Sequence, residues 1–253
     1  MPDAPDVVVR CVDLSISHGG RTPRVVDGVT FTLYRGGALA LMGPTGAGKS
    51  SLIALLAGAD QDVRVAGGTA EVAGIPVQGR GRVGRARRYV TGYLAQRAGA
   101  DLPARMTVSD VIGDPISSRD RRVNQRALAV RVAGLLDELQ LPLGAAHKYP
   151  YELSAGMRQR VALARALVLQ PRLLVADDVY ANLDPEVRTT VHDAIQRRRR
   201  DQGLALLMAT NDEDAVGGFD ADVLVMRDGH TVAYGHGMND LLWTPDGREK
   251  TAP

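Results

Sequence analysis

Ala38-Leu39-Ala40-Leu41-Met42-Gly43-Pro44-Thr45-Gly46-Ala47-Gly48-Lys49-Ser50-Ser51 decides how the rest of the chain is read. Its first five residues are all apolar, which predicts a short strand buried on both faces, because a strand with one wet face alternates instead. Gly43 to Ser50 then fits G-x-x-x-x-G-K-[ST], and Ser51-Leu52-Ile53-Ala54-Leu55-Leu56 continues as a helix. Strand, glycine loop and helix together are the context in which this motif binds phosphate. The glycines let the backbone curl until successive N–H groups point inward, and the helix start adds its positive end. Gly43, Pro44, Thr45, Gly46, Ala47, Gly48, Lys49, Ser50 and Ser51 are therefore candidate nucleotide-binding residues. Lys49 suits the β- and γ-phosphates of a nucleotide, and the Ser50 hydroxyl suits Mg²⁺.

A phosphate loop needs a carboxylate beyond the metal, at the end of an apolar strand, and Leu173-Leu174-Val175-Ala176-Asp177 supplies it. Asp177 joins Ser50 as a candidate metal residue. Outward from these two strands, Val7 to Val12 and Val29 to Leu33 read as an antiparallel opening separated by the turn residues Gly19-Gly20. Short strands recur from Gly67 to Gln78, and the Arg/Gly run from Gly79 to Arg88 reads as a solvated loop. From Ala100 to Tyr149 the pattern turns helical, with Leu128, Val132, Leu135, Leu136 and Leu139 recurring at helical spacing. Strand and helix alternate afterwards: Leu173 to Ala176, a helix from Pro185 to about Arg200, Leu204 to Met208, and Val223 to Met226. Arg197 to Arg200 ends that helix, where exposed carbonyls favour cations without any partner.

Composition removes several function classes. The chain has 253 residues, 45% of them hydrophobic, enough for a large core. A net charge of +2 demands no polyanionic partner, and 4% aromatic residues with one Trp243 argue against stacked single-stranded nucleic acid. No nucleic acid is expected. Nothing approaches the ~18–20 consecutive apolar residues of a membrane span, and Met1 to Asp6 lacks a signal-peptide pattern. One cysteine, Cys11, can form neither an internal disulfide nor a multi-cysteine metal site, so a reducing, cytosolic setting is expected.

Between the two phosphate-site segments lies Leu153-Ser154-Ala155-Gly156-Met157-Arg158-Gln159-Arg160, a small-residue turn opening a helix. Ser154 offers a capping oxygen and Gly156 a free N–H, which makes a second anion-binding helix start. The phosphate loop, Gln96, this segment, Asp177-Asp178 and Leu183-Asp184 occur in the order and spacing of an ABC transporter ATP-binding subunit, and the resemblance runs from about Val7 to Asp240. Gln96 to Val108 and Tyr149 to Arg160 further resemble the oligopeptide, dipeptide and nickel importer branch. The resemblance implies an α/β P-loop NTPase, with a RecA-like, mostly parallel mixed sheet, an N-terminal antiparallel β-subdomain and an inserted helical subdomain. Within a single ABC ATPase domain over 1–253, residues 1–99 and 160–253 would form the core and 100–159 the helical signature part. It also implies a head-to-tail dimer with ATP and Mg²⁺ between the subunits. Ser154, Ala155, Gly156 and Met157 would serve the partner's nucleotide, Asn182-Leu183-Asp184 would cross the interface, and Gln96 would sense Mg²⁺ and the attacking water. The implied partners are two membrane-spanning permease subunits, a second ATP-binding subunit and an extracytoplasmic substrate-binding protein, at the cytoplasmic face of the plasma membrane.

Three positions depart from that family's pattern. Asp178 stands where a glutamate general base is usual, followed by Val179-Tyr180 in place of Pro-Thr. Asn211 stands in place of a histidine, and a carboxamide can donate a hydrogen bond but carries no charge. Ser17-His18-Gly19 stands where an aromatic residue usually stacks on adenine, leaving His18 as a lesser candidate. Asp178, Asn211 and Gln96 are the catalytic candidates of a cassette expected to bind ATP well, to hydrolyse it weakly in its own site, and to drive uptake of peptides or nickel. An exporter cassette is the rival within transport. A soluble ATPase acting on ribosomes or DNA is the rival outside it, although no heptad run separates the phosphate loop from the signature; a GTPase would need Asn-Lys-x-Asp, which is absent.

Overall fold

The computed structural model describes residues 6–19, 23–59, 62–79, 81–120, 122–180 and 183–243. Strand β3 (Ala38–Met42) runs parallel to both β8 (Ala205–Ala209) and β9 (Asp222–Arg227). Outside β8 lie β7 (Leu173–Asp177) and β6 (Thr91–Leu94), also parallel, while β10 (His230–His236) and β11 (Leu242–Trp243) continue antiparallel beyond β9. Among the described residues the order is β11-β10-β9-β3-β8-β7-β6. The unbroken apolar runs follow from burial on both faces. Ala38, Ala40 and Met42 join one core with Leu174, Ala176, Leu206 and Met208, whereas Leu39 and Leu41 join another with Leu173, Val175 and Leu207.

That second core is closed by an antiparallel sheet of β1 (Val7–His18), β2 (Arg24–Tyr34), β4 (Val63–Val72) and β5 (Ile75–Pro76), in the order β2-β1-β4-β5. Helix α1 (Lys49–Ala57) lies between the two sheets and buries Leu52, Ile53, Leu55 and Leu56, so it is apolar nearly all round. The first core is covered by α3 (Val108–Ser117), α4 (Gln125–Glu138), α5 (Ala155–Leu167), α6 (Pro185–Gln202) and α7 (Glu213–Gly218). The expected helical stripe on α4 holds: Val132, Leu135, Leu136 and the following Leu139 are buried, and Leu128 is half-buried.

Two expectations are corrected. The Arg/Gly run is not a solvated loop: Arg82–Val90 is a helix, α2, and Arg87 is buried with its guanidinium donating to the Val77 carbonyl. Arginine is a good helix former, and the run's charge conceals the apolar contact of Val90 with the second core. The arginines ending α6 also do more than meet helix carbonyls. Arg198 donates to both oxygens of Glu138 on α4, at 2.8 and 2.5 Å, and Arg199 donates to the carbonyls of Gly36 (3.0 Å) and Phe219 (2.5 Å). Long side chains reach partners that are remote in sequence, which a local helix-end argument does not include.

Candidate functional site

The glycine loop leaves β3 at Gly43, where φ is 131° and an added Cβ would lie 2.0 Å from the Met226 carbonyl oxygen. Only glycine fits this close approach. Helix α1 starts at Lys49 without a side-chain cap and without an acidic residue in its first turn, so its N–H groups remain for an anion. Lys49 bends back, its Nζ donating to the carbonyls of Gly43 (2.5 Å) and Pro44 (3.0 Å). Burial pushes the Lys49 ammonium below its usual range, against the pull of Asp177. Phosphate oxygens in reach would replace those carbonyls with stronger, charge-assisted partners.

Asp177 ends β7 beside this loop. Burial raises its carboxyl above the usual range; a hydrogen bond from Ser50 and the charge of Lys49 oppose that rise, and Asp178 adds to it. Ser50 and Asp177 thus offer two hard oxygen donors side by side, the chemistry that suits Mg²⁺. Among the described residues no cluster of three or more His, Cys, Asp or Glu could hold a metal. A Mg²⁺ here would fill its remaining positions with phosphate oxygens and water, as that ion commonly does.

The two unusual residues are both tied to backbone. Asp178 has φ 61°, its N–H donates to the Ala209 carbonyl (2.9 Å), and its Oδ1 accepts the Tyr180 N–H (3.3 Å). Tyr180 is buried, stacked on Phe219 at 5.8 Å and under the Arg188 guanidinium at 5.7 Å. The Asn211 Oδ1 accepts the Gly43 N–H at 3.1 Å, bracing the first residue of the phosphate loop.

One cleft of about 470 Å³ gathers His18, Thr45 to Ser51, Gln96, Asp177, Asp178 and Asn211, so these sequence-predicted residues come together. Val25, Ala209 and Thr210 also line it. Pro44 and Gly43 flank the loop without lining the cleft. Ser154, Ala155, Gly156 and Met157 lie outside this lining: Ser154 caps α5 by accepting the Met157 N–H at 3.2 Å. Gln96, which follows β6, borders both this cleft and a second cavity of about 240 Å³ against Ala155, Arg158 and Gln159. Asp184 precedes α6 with no side-chain capping bond, and Asn182 falls outside the described residues.

Two groups escape a sequence reading. Arg188 donates to the Leu183 carbonyl (3.2 Å) and to Asp212 (3.3 Å), joining the segment before α6 to the one after β8. Its place one turn into α6 was the available signal. Gly99 donates its N–H to the buried Gln159 Oε1 (3.2 Å), while Gln159 Nε2 has no partner. A Cβ at Gly99 would stand 2.8 Å from the Gln159 backbone nitrogen.

A parallel sheet, a glycine loop cradling a helix N-terminus and a carboxylate on a neighbouring strand define a P-loop nucleotide-binding protein. A family model described as ABC transporter matches residues 26–181. The chain belongs to the ABC transporter family. It is 32% identical over 219 residues to the oligopeptide transport ATP-binding protein OppF of Escherichia coli, covering 85% of this chain and 64% of that protein. It is also 32% identical over 239 residues to the methionine import ATP-binding protein MetN of Mesorhizobium japonicum, covering 92% and 62% respectively. The chain thus spans a little under two thirds of the length of these relatives. In fold it is similar to the dimeric ATP-binding cassette MJ0796 bound to ADP and Pi, with a TM-score of 0.80 at 21% identity over 90% of this chain and 98% of that one.

Proposed function

We propose that the chain is the ATP-binding and ATP-hydrolysing subunit of an ABC importer for peptides, acting as the weaker half of a heterodimeric pair. The observation that carries this reading is the single cleft that brings Lys49, Ser50 and Asp177 together while the Ser154-capped helix stays outside it. Lys49 leaves its carbonyl partners for the β- and γ-phosphates, Ser50 and Asp177 hold Mg²⁺, and the N–H groups of the loop and α1 orient the triphosphate. Bound Mg²⁺ supplies charge neutralisation on the phosphate oxygens. Ser154 and the Gly156 N–H complete the ATP site of a head-to-tail partner, and Asp184 lies at the interface. Residues 100–159 form the helical signature part, and 1–99 with 160–253 the core.

Weak hydrolysis in this chain's own site follows from how its residues are engaged. Asp178 is a methylene shorter than glutamate and spends one oxygen on the Tyr180 N–H, and Asn211 spends its oxygen on Gly43 and carries no charge. General-base catalysis tolerates little misplacement; ~1 Å can cost about a hundredfold. Peptide uptake is supported by the similarity to OppF. Among the described residues no helix is long and apolar enough to cross a membrane. The proposed setting is peripheral, at the cytoplasmic face, with two permease subunits, a second ATP-binding subunit and an extracytoplasmic substrate-binding protein. The test measures Mg-ATP binding and turnover by the purified chain. Binding with very slow hydrolysis, and loss of binding in Lys49→Ala, is the expected result; fast cooperative hydrolysis by the chain alone overturns the weak-site assignment.

A further inference from the structure

Tyr149 and Tyr151 stack with centroids 5.5 Å apart and ring planes 5° from parallel. The backbone beneath them is held at both ends. Pro150 and Leu153 are buried, the Leu153 N–H donates to the Pro150 carbonyl (3.2 Å) to close the short 3₁₀ turn Pro150–Glu152, and Glu152 Oε2 accepts the Tyr149 N–H (2.6 Å). Before the turn, the Lys148 carbonyl accepts the Val108 N–H (2.8 Å); after it, the Leu153 carbonyl accepts from the Arg158 guanidinium (2.6 Å). A pair that only sheltered its own rings from water would bury both, whereas Tyr149 is 37% and Tyr151 69% exposed. Tyr149 covers one face of the Tyr151 ring, and the opposite face stays open among the described residues.

The neighbours along the chain decide what such a face fits. Ser154, three residues on, caps α5, and Gly156 stands in the first turn of that helix. Three residues of chain span at most ~11 Å, comparable to the reach from the γ-phosphate of a nucleotide to its base. A flat ring at that distance from a phosphate-binding helix start suits a nucleobase, because every base has a π-face and stacking needs no hydrogen-bond match. We infer, on the head-to-tail reading above, that Tyr151 stacks on the base of the nucleotide held in the partner subunit's cleft, with Tyr149 as its backing ring. One chain thereby touches its partner's nucleotide at both ends, through Ser154 and the Gly156 N–H at the γ-phosphate and through Tyr151 at the base. The stack is formed before the base arrives, so little side-chain freedom is lost on binding.

The experiment is steady-state ATPase of the reconstituted transporter carrying this chain as wild type, Tyr151→Ala or Tyr151→Phe, with inorganic tripolyphosphate as a competitive inhibitor that lacks a base. Tyr151→Ala should raise the KM for ATP at least about fivefold, with kcat held within about twofold and the tripolyphosphate inhibition constant unchanged, because a stacked base is bound alike in ground and transition states. Tyr151→Phe keeps the face and should recover most of the loss. A second measurement is independent of turnover: with Lys49→Ala emptying this chain's own cleft, photolabelling of the complex with 8-azido-ATP should mark residues 149–152 of this chain. An unchanged KM in Tyr151→Ala, a tripolyphosphate inhibition constant that rises in step with KM, or label confined to the partner chain overturns the inference, and Ser154→Arg still lowering turnover then leaves the head-to-tail reading in place. Turnover unaffected by Ser154→Arg overturns that reading and this inference with it.

Discussion

Replacing Arg198 with methionine should destabilise the chain by about 3 kcal/mol, far more than most single surface changes. Arg198 and Glu138 form a two-pronged pair at 2.8 and 2.5 Å, with side chains only 9% and 17% exposed, and the pair bridges α6 and α4. Methionine keeps most of the arginine stem, so packing is largely retained while the charge is lost. What remains is a carboxylate with little water and no counter-charge. Removing one partner of a buried pair costs ~3–5 kcal/mol, and the residual exposure of Glu138 places this case at the low end. With an m-value of about 3 kcal/mol per molar urea, the midpoint should fall by about 1 M. Arg198→Met with Glu138→Leu should recover most of the loss, since apolar residues of similar volume often replace such pairs at little cost. Urea denaturation of the two single variants and the double variant measures all three terms. A loss below about 1 kcal/mol in Arg198→Met, or no recovery in the double variant, would refute the reasoning.

Gly43→Ala should cost about 2–4 kcal/mol in a denaturant titration and abolish nucleotide binding, because its Cβ would meet the Met226 carbonyl oxygen at 2.0 Å. His236 is held above its ordinary value of 6.5, chiefly by its hydrogen bond to Asp222 and also by Asp220. The stabilisation is therefore complete below that ordinary value and lost as pH rises through the higher folded one. His236→Gln should flatten this shallow decline when urea midpoints are compared from about pH 6 upward. In the reconstituted transporter, Ser154→Arg should lower steady-state ATPase about 100- to 1000-fold, whereas Asp178→Asn should change it little. The opposite order would place the working site in this chain.

The phosphate loop, its strand and its helix were legible because the information is contiguous: an apolar run, glycines and Lys49-Ser50 specify one local geometry. The parallel sheet was legible for the same reason, as two-face burial writes itself into Leu173 to Ala176 and Leu204 to Met208. Helix α2 was not, because glycine and charge outweigh the few apolar contacts that hold Arg82–Val90 in place. Nor could the pattern reveal that Asp178 adopts φ 61° or that Asn211 reaches Gly43. Those facts depend on which strand ends lie side by side. Arg198 shows the same limit, since its partner Glu138 is on a helix whose docking no local rule specifies.

The contact between Gly99 and Gln159 ties the turn that follows β6 to α5. The turn from Gln96 to Asp101 is closed by its own bonds, Ala100 and Asp101 both donating to the Arg97 carbonyl, and Gly99 fastens it to α5. Pulling it away would strand the Gln159 Oε1 beside an Nε2 that already lacks a partner, a cost of ~1–3 kcal/mol. The turn and the helix are thereby one piece, like a tooth cut into a shaft. Gln96, on the wall of one cavity, and Ser154, at the head of the helix beside the next, are thereby joined through one amide and one missing side chain.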